Sequence, residues 1–526
     1  MKEMSQAKRI EAARDLRERL LGDPHRPGYH FAIPEDIGQP GDPNGAFYAN
    51  GRYHLMYLYD RRGRKAWNDR FFCWGHISSA DLIHWRHHPD PIAPGDGDGG
   101  CYSGGAFVDD DGRAYLSFWR LPIAGSDSKG SGIGIARSSD RDYERWEKLN
   151  VPRLDATEFG IREVTTDEGP RYLSNADPSN IWKRGGWYYL EAGNLLVLDK
   201  LGRKSDSPVE FRGDWVDLFR SRDLVDWEYL HRFYQRDVSN RWTDESEDDM
   251  CPSFLPLPAR REGGEMSGKY LQLFISHNKG CQYYLGDYNT SNDLFIPQHH
   301  GRMSWTDNTF FAPEALVDDR GRQIMWAWLL DNPNSSIEKD IEDGWSGVYG
   351  LPRALWLGES DTLHMAPVIE LETLRRNEQS FPGGAVADGQ SRGIELANGM
   401  SCEIRVSISL GTADRAGLHV RAGVEEMTSL FYDREKSALV FDATASGTKG
   451  RRVVEEAPLS LADDEPLDLI VYIDNSVVEI FANDRQAITR RVYANPENVG
   501  VRLFSEGGEA VFSETTAWEM MPSNAW

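Results

Sequence analysis

The sequence predicts an all-β protein in which a five-bladed β-propeller is followed by a C-terminal β-sandwich. The main observation is a unit that recurs five times across residues 29–362 and consists of an innermost strand, a tight turn and a second strand. The units begin near Gly45, Gly105, Asn180, Phe254 and Ala315. Each unit holds about four strands and cannot bury both faces alone, so the five are expected to close on one another.

The first unit shows the pattern most clearly. Asp42-Pro43-Asn44-Gly45 places a carboxylate at the mouth of a strand, and an Asn50-Gly51 pair, typical of hairpin turns, separates that strand from the next. A second motif, Ser/Asp-Leu-x-x-Trp, follows inside most units, for example at residues 79–85 and 221–227. It predicts the same corner in successive blades.

The regions on either side of the propeller are predicted separately. Residues 1–28 form a helical extension, because Ile10, Ala13, Leu16 and Leu20 recur at helical spacing and the pattern ends near Gly22. We interpret this helix as docked on the main body, with partner binding as the alternative. A linker at 363–376 leads into alternating strand-like runs that predict the sandwich over 377–526, with a structural role, although sugar binding or a dimer contact would also fit.

Composition restricts the class of function. The 526 residues carry a net charge of −25, which argues against nucleic acid or any other polyanion as a partner and leaves a neutral substrate open. The five cysteines are scattered, so neither a disulfide framework nor a zinc site is expected. The N-terminus lacks the apolar run of a signal peptide and no apolar run is long enough to span a membrane, so we expect a cytoplasmic protein without a membrane partner.

Candidate catalytic groups come from one position in the repeat. The residue ahead of each innermost strand tends to face the central channel of a propeller, and these residues are Asp42, Ser103, Asp177, Cys251 and Ala312. Two of them are carboxylates from different blades. An Asp-Pro pair can simply mark a turn, but paired carboxylates across a pocket are what glycoside cleavage requires.

The motifs together resemble glycoside hydrolase family 32, which contains invertases, inulinases, levanases and fructosyltransferases. The resemblance runs in the family's order through residues 30–31, 42–45, 74–85, 101–105, 176–178, 250–252, 310–313, 345–353 and 477–481. It implies a five-bladed propeller with a C-terminal sandwich, retaining chemistry on β-D-fructofuranosides (sucrose, inulin- or levan-type fructans), and no metal or organic cofactor.

The resemblance also implies roles for individual residues. Asp42 would be the nucleophile that forms a covalent fructosyl-enzyme, and Asp177 would hold sugar hydroxyls and stabilise the transition state. The substrate-binding residues implied are Asn44, Trp74, Tyr102, Ser103 and Asp307, with Trp74 and Tyr102 as an apolar wall. For each of these two aromatic side chains, packing in the core is the alternative.

Three departures from the family's pattern affect the predicted chemistry. Gln39-Pro40-Gly41 stands where the family has Trp-Met-Asn, and Ala176 stands where it has Arg. Met250 replaces the acid/base glutamate, and a thioether cannot transfer a proton.

The acidic run at 244–249 is the predicted replacement for that glutamate, unless it is only a solvated loop. Glu247 is favoured for its reach, and Asp248 follows closely because it shares a strand face with Met250. A bulge at the strand entrance would present Asp249 or Glu247 instead.

The histidines are not predicted to form a site. His277 follows a blade strand, and we interpret it as a buried, hydrogen-bonded structural residue, with a place facing the pocket as the alternative. The pairs His87-His88 and His299-His300 show no third ligand at useful spacing, so no metal site is predicted.

The predicted function is that of a retaining glycoside hydrolase acting on β-D-fructofuranosides. A fructosyltransferase that releases difructose anhydride, as levan fructotransferases do, is one alternative. A sugar-binding pseudoenzyme, suggested by Met250, is the other.

Overall fold

The computed structural model describes residues 5–32, 40–60, 72–122, 132–152, 162–167, 169–173, 175–198, 213–237, 239, 242–244, 246–330 and 344–523. Their elements confirm the predicted all-β class. The described residues of Pro40–Trp328 and Pro352–Leu363 form one compact unit, here called the propeller unit. Those of Met1–Gln39, Leu329–Leu351 and His364–Trp526 form a second, here called the sandwich unit.

The N-terminal helix forms where the sequence predicts it. Helix α1 covers Gln6–Gly22, and the hydroxyl of Ser5 accepts a hydrogen bond from the backbone N–H of Lys8 as an N-cap. Leu20 is buried, whereas Ile10 is exposed. In the described part of the chain, no helix combines the length and the apolar character needed to cross a membrane.

The propeller unit is built from antiparallel sheets that follow one another along the chain. The first sheet is ordered β1 (Pro40–Ala49), β2 (Arg52–Asp60), β3 (Phe72–Ser79), β4 (Trp85–Ile92). The second contains β5 (Asp98–Cys101), β6 (Ala106–Val108), β7 (Ala114–Pro122), β8 (Gly132–Ser138) and β9 (Trp146–Lys148), with β5 and β6 both pairing with β7. A separate hairpin follows, β10 (Arg162–Thr166) and β11 (Gly169–Leu173).

Three further sheets complete the predicted five blades. The third contains β12 (Ala176–Pro178), β13 (Trp182–Arg184), β14 (Trp187–Gly193), β15 (Trp215–Ser221) and β16 (Trp227–Gln235), and the short helix α2 (Leu195–Leu198) follows β14. The fourth is ordered β17 (Met250–Pro258), β18 (Met266–Ser276), β19 (Gly280–Asn289), β20 (Leu294–Arg302). The fifth uses β21 (Phe310–Val317), β22 (Gln323–Leu329) and β24 (Arg353–Leu357) of this unit. The strands β23 (Val348–Tyr349) and, apart from Leu363, β25 (Leu363–Pro367) belong to the residues of the sandwich unit.

Hydrogen bonds between neighbouring innermost strands hold the blades in a ring. The Gly45 N–H donates to the Gly104 carbonyl at 3.2 Å, and the Asn180 amide exchanges two bonds with the Phe254 backbone at 2.8 and 2.9 Å. The ring closes where the Ala46 N–H donates to the Glu314 carboxyl at 2.7 Å, which joins the first blade to the fifth. These bonds fix the positions from which the strand entrances face the channel.

The repeated Ser/Asp-Leu-x-x-Trp motif forms a capped turn between the third and fourth strands. In the first blade the Asp81 carboxylate accepts the N–H groups of Ile83 and His84 at 3.0 and 2.8 Å. Leu82, which lies between Asp81 and Ile83, has a left-handed φ of 64°. The third blade repeats this arrangement, with Leu224 at a φ of 65°. The predicted corner is therefore an Asp-capped turn.

The sandwich unit contains two large antiparallel sheets, which confirms the second predicted architecture. One sheet consists of β26 (Arg375–Phe381), β27 (Gly384–Val386), β29 (Ser401–Ser409), β34 (Leu467–Asp474), β35 (Val477–Ala482), β36 (Gln486–Arg491), β38 (Ala510–Phe512) and β39 (Thr515–Met520). The other consists of β28 (Gln390–Ile394), β30 (Arg415–Ala422), β31 (Thr428–Asp433), β32 (Ala438–Asp442), β33 (Val454–Pro458) and β37 (Gly500–Glu506). Two 3₁₀ turns, Glu359–Asp361 and Ile369–Leu374, lie ahead of these sheets.

A buried polar anchor attaches the segment after α1 to the sandwich. The Asp474 carboxylate accepts the backbone N–H groups of Gly28, Tyr29 and His30 at 2.7–2.8 Å. The His30 ring bridges Asp474 (2.9 Å) and Glu479 (3.2 Å), and all three side chains are fully buried. Burial opposes the charged ring, but the bonds to both carboxylates raise the pKa of His30 to about 8.

Candidate active site

Four of the five equivalent strand-entrance residues meet at one place in the propeller unit. The Ser103 hydroxyl donates to Asp42 Oδ2 at 2.5 Å. The Cys251 thiol lies between the two carboxylates, with its Sγ atom 3.7 Å from Asp42 Oδ2 and 3.5 Å from Asp177 Oδ2. The fifth residue, Ala312, supplies no polar group. The structure therefore brings Asp42, Asp177 and Ser103 together, as the repeat predicts.

The backbone at these entrances explains how the side chains are aimed. Asp177, Cys251 and Ala312 have left-handed φ values of 43°, 49° and 46°, although none of them is glycine. Each precedes a proline. In the third and fourth blades the pairing register shifts at this point, as in a β-bulge. A bulge turns a side chain away from its normal alternation, and strain of this kind is frequent at functional sites.

The two carboxyl groups are electrostatically linked. Burial raises the pKa of Asp42, and the bond from Ser103, the charge of His277 and the bond from Cys251 oppose that rise. Burial and then the charge of Asp42 raise the pKa of Asp177 to about 7, against the opposing charge of His277. Close to neutral pH the Asp177 carboxyl is therefore protonated part of the time, and the two groups titrate as a coupled pair.

The other predicted substrate-binding residues are mostly buried or half-buried and hydrogen-bonded within the protein. Asn44 is buried and its Oδ1 accepts the Gly104 N–H at 3.3 Å. Trp74 has no exposed surface, and its Nε1–H donates to the Tyr102 carbonyl at 3.1 Å. Tyr102 is half-buried, so it offers some ring surface. Asp307 is half-buried and its Oδ1 accepts the Thr309 N–H at 2.9 Å, in the loop before β21.

Two of the three departures from the family pattern are buried beside the pair. Ala176 is fully buried at the start of β12. Met250 is also buried, and its sulfur would lie 2.9 Å from a Cβ placed on Gly193, so its side chain packs against the end of β14. Of the third departure, Gln39 lies outside the described residues, and Gly41 lies in β1.

Glu247, the favoured replacement acid, is engaged elsewhere. Its buried carboxylate contacts the ammonium group of Lys279 and the hydroxyl of Ser276, and it accepts the Gln282 amide at 2.7 Å. Convergence of an ammonium group and two further donors suits an anion rather than a proton donor. These contacts give no support to the prediction that Glu247 supplies the acid.

Asp249 and Asp248, the next two members of the acidic run, have different surroundings. Glu245 lies outside the described residues. Asp249 is buried, and burial with the charge of neighbouring Asp214 raises its pKa well above its usual range. Asp248 is fully buried as well, but its carboxylate faces the ring of His277, with Oδ2 3.3 Å from Nδ1. Among the described members of the run, Asp248 is the one bonded to a group, His277, whose charge acts on Asp42 and Asp177.

His277 is the functional candidate that sequence reasoning set aside. The expectation of a hydrogen-bonded histidine is correct, but the expectation of a buried one is wrong, because 42% of its side chain is exposed. Loss of water around the inner part of its ring lowers the pKa, but the charges of Asp248, Asp177 and Asp42 and the bond to Asp248 outweigh that effect and raise it. The signal in the sequence was position: His277 directly follows a strand that leads to the channel.

A second histidine group lies in the first blade. The expectation that His87-His88 lacks further ligands is wrong for His88, because one ring nitrogen each of His54, His76 and His88 lie within 4.8 Å of one another. However, His54 Nδ1 and His76 Nε2 are hydrogen-bonded to each other at 2.9 Å, and burial lowers the pKa of both rings. In this bond one nitrogen donates its proton and the other accepts with its lone pair, so neither of these two atoms is free to bind a metal. The group therefore fits a chain of neutral imidazoles better than a metal site.

Comparison with known proteins gives a consistent result over nearly the whole chain. The family model for the glycosyl hydrolases family 32 N-terminal domain matches residues 30–367, and that for the glycosyl hydrolases family 32 C terminal matches residues 370–519. The sucrose-6-phosphate hydrolase of Zymomonas mobilis is 26% identical over 98% of this chain and 96% of its own length. The raffinose invertase of Escherichia coli is 27% identical over 97% and 99%.

Solved structures give the same fold. The crystal structure of fructan 1-exohydrolase IIa from Cichorium intybus superposes with a TM-score of 0.78 at 22% identity, and the match covers 95% of this chain and 98% of the other.

Proposed function

The chain belongs to glycoside hydrolase family 32, and on that premise we propose that it hydrolyses β-D-fructofuranosides by double displacement through Asp42. The observation that carries this proposal is the meeting of Asp42 and Asp177 at the propeller entrances, with Cys251 between them and Ser103 bonded to Asp42. The names of the relatives support a fructoside substrate, because sucrose-6-phosphate, raffinose and fructan all contain fructose.

The geometry suits a division of labour between the two carboxyl groups. Ser103 binds Oδ2 of Asp42, which leaves Oδ1 to attack the anomeric carbon of fructose and form the fructosyl ester. Asp177, with its pKa near 7, can donate to or accept from the sugar hydroxyls as positive charge develops on the ring. Water then cleaves the ester and regenerates the Asp42 carboxylate, with overall retention of configuration.

Product analysis tests this proposal. The protein is incubated with sucrose, inulin and levan, and products are identified by chromatography and NMR for the wild type and Asp42→Asn. We expect free fructose that is first released as the β-anomer, and loss of at least about 10³-fold in kcat for the variant. Asp226→Asn, the same substitution at an exposed blade corner, is the matched control and should retain full activity.

The same assay separates the alternatives. Difructose anhydride in place of free fructose would establish a fructosyltransferase. Saturable sugar binding without turnover would establish a binding protein, a possibility that the burial of Met250 against Gly193 specifically favours. An α-configured first product would refute double displacement through Asp42.

A further inference from the structure

Fructoside cleavage requires a proton for the leaving oxygen, and the position that supplies it in the family holds a methionine. Met250 is buried against β14, and Glu247 is paired with Lys279. Neither Met250 nor Glu247 is therefore suited to donate this proton.

Strand register places a histidine beside this position. Met250 of β17 pairs with Ile275 of β18, so the antiparallel register, continued by two residues, places Asp248 opposite His277. The contacts agree with that register. The His277 N–H donates to Asp248 Oδ2 at 3.2 Å, and the His277 ring nitrogen Nδ1 lies 3.3 Å from Oδ2 and 3.4 Å from Oδ1.

The His277 ring is held on two further sides. It packs in an edge-to-face arrangement with the ring of Phe311, at a centroid distance of 5.5 Å and an interplanar angle of 77°. The Asn308 amide donates to the His277 carbonyl at 2.7 Å, which fixes the loop from the fifth blade. Among the described residues Nε2 has no hydrogen-bond partner, and 42% of the side chain is exposed, so this nitrogen is available to a substrate.

We propose that His277 is the general acid/base of this enzyme and that Asp248 is its positioning residue; the inference rests on the proposed fructosidase function. Asp248, bound at Nδ1, fixes the ring so that the proton on Nε2 faces the substrate, as a carboxylate does for a catalytic histidine in other hydrolases. The charge of His277 acts on both Asp42 and Asp177, which places it within electrostatic reach of the reacting centre.

The chemistry balances in both steps. As Asp42 forms its bond to the anomeric carbon, the Nε2–H proton moves to the leaving oxygen, the glycosidic bond breaks and His277 becomes neutral. In the second step neutral His277 takes a proton from water, the water oxygen bonds to the anomeric carbon and the ester to Asp42 breaks. His277 is then protonated again and Asp42 is a free carboxylate.

The test compares two leaving groups in wild type and His277→Gln. Sucrose needs a proton on its leaving oxygen, whereas β-D-fructofuranosyl fluoride releases fluoride with little assistance. We expect kcat for sucrose to fall by about 10²–10⁴-fold, but fructosylation by the fluoride to fall by less than about 10-fold. Azide, which needs no base, should restore turnover of the fluoride and give fructosyl azide.

The positioning residue has a separate readout. Asp248 is the largest cause that raises the pKa of His277, with Asp177 and Asp42 also raising it. In Asp248→Asn the alkaline limb of the kcat/KM profile should therefore move to lower pH, because the protonated ring is lost earlier. His84→Gln is the matched control, since His84 Nδ1 also contacts a carboxylate, Asp81, at 2.8 Å at a blade corner.

The outcomes are distinguishable. Equal loss on both substrates without azide rescue would show that His277 is only structural and would overturn the inference. Normal sucrose turnover in His277→Gln would also overturn it and leave the fructosidase proposal intact. Absence of turnover of every fructoside by the wild type would overturn both proposals.

Discussion

Substitution of His30 by glutamine tests the buried anchor of the sandwich unit. The His30 ring is fully buried between Asp474 and Glu479 and has a pKa of about 8, compared with 6.5 in an unfolded chain. A folded-state pKa above the unfolded value adds stability that is complete below pH 6.5 and is lost as the pH rises through 8. Glutamine can keep a hydrogen bond but cannot bind the proton.

The magnitude follows from the pKa difference. A difference of about 1.5 pKa units, at 1.36 kcal/mol per unit, corresponds to about 2 kcal/mol at low pH. By the same linkage this contribution is about 1.3 kcal/mol at pH 7 and close to zero at pH 9. In an exchange experiment, about 2 kcal/mol equals roughly a 30-fold change in protection.

Hydrogen exchange detected by mass spectrometry provides the assay. Protection is followed for the peptide that contains Gly28, Tyr29 and His30, whose N–H groups donate to Asp474. Wild type and His30→Gln are compared at the same pH, so the intrinsic pH dependence of exchange cancels. We expect a difference of about 30-fold at pH 5.5 that disappears by pH 9.

The exchange experiment has a matched control and a result that would refute the prediction. His84→Gln, in the propeller unit, should leave protection of this peptide unchanged. A difference between wild type and His30→Gln that stayed constant, or that grew with rising pH, would refute the reasoning that the ring is charged and bound by the two carboxylates.

Three further predictions follow from burial and backbone geometry. Burial lowers the pKa of His54 to about 3, so between pH 6.5 and 3 the unfolded chain binds a proton at this residue and the folded chain does not. The free energy of unfolding should therefore fall as the pH is lowered from 6.5 to 3. In urea unfolding, His54→Leu should make this pH dependence shallower, and an unchanged pH dependence would contradict the prediction. Met250→Glu should lower the free energy of unfolding by about 3 kcal/mol, because it buries a carboxylate without a partner, and an unaltered melting temperature would argue against this. A Cβ on Gly105 would lie 2.2 Å from the backbone nitrogen of Asn180, so Gly105→Ala should lower the melting temperature by several degrees, whereas Gly393→Ala, with no atom near its Cβ, should not.

The sequence allowed the blades to be predicted because their signals are local. Strand alternation, Asn-Gly turns and the capped corner at Asp81 each lie within a few residues. The predicted nucleophile and stabiliser were also found locally, since Asp42 and Asp177 each precede a proline at the same place in the repeat. Closure of the ring was inferred only from the need to bury each blade's faces, and the bond between Ala46 and Glu314 shows how it is made.

His277, the proposed acid, could not be inferred in this way because its environment is not local in the sequence. Alternation within the acidic run cannot show that Glu247 meets Lys279 or that Asp248 meets His277, since these partners lie about 30 residues further on, in the turn between β18 and β19. The bulge at Cys251 also breaks the alternation at this point. Glu247 was favoured because its side chain is longer, but side-chain length does not determine which group the carboxylate contacts.

The left-handed residues at the strand entrances have a consequence for how this fold changes over evolution. Aspartate, cysteine and alanine occupy the same backbone conformation at Asp177, Cys251 and Ala312, each followed by proline. The same left-handed φ of 43–49° therefore occurs with three different side chains. Each entrance position therefore accepts different residue types without a change of backbone conformation. A single substitution can remove a catalytic group at one entrance or introduce one at another, while the backbone that positions the remaining groups is unchanged.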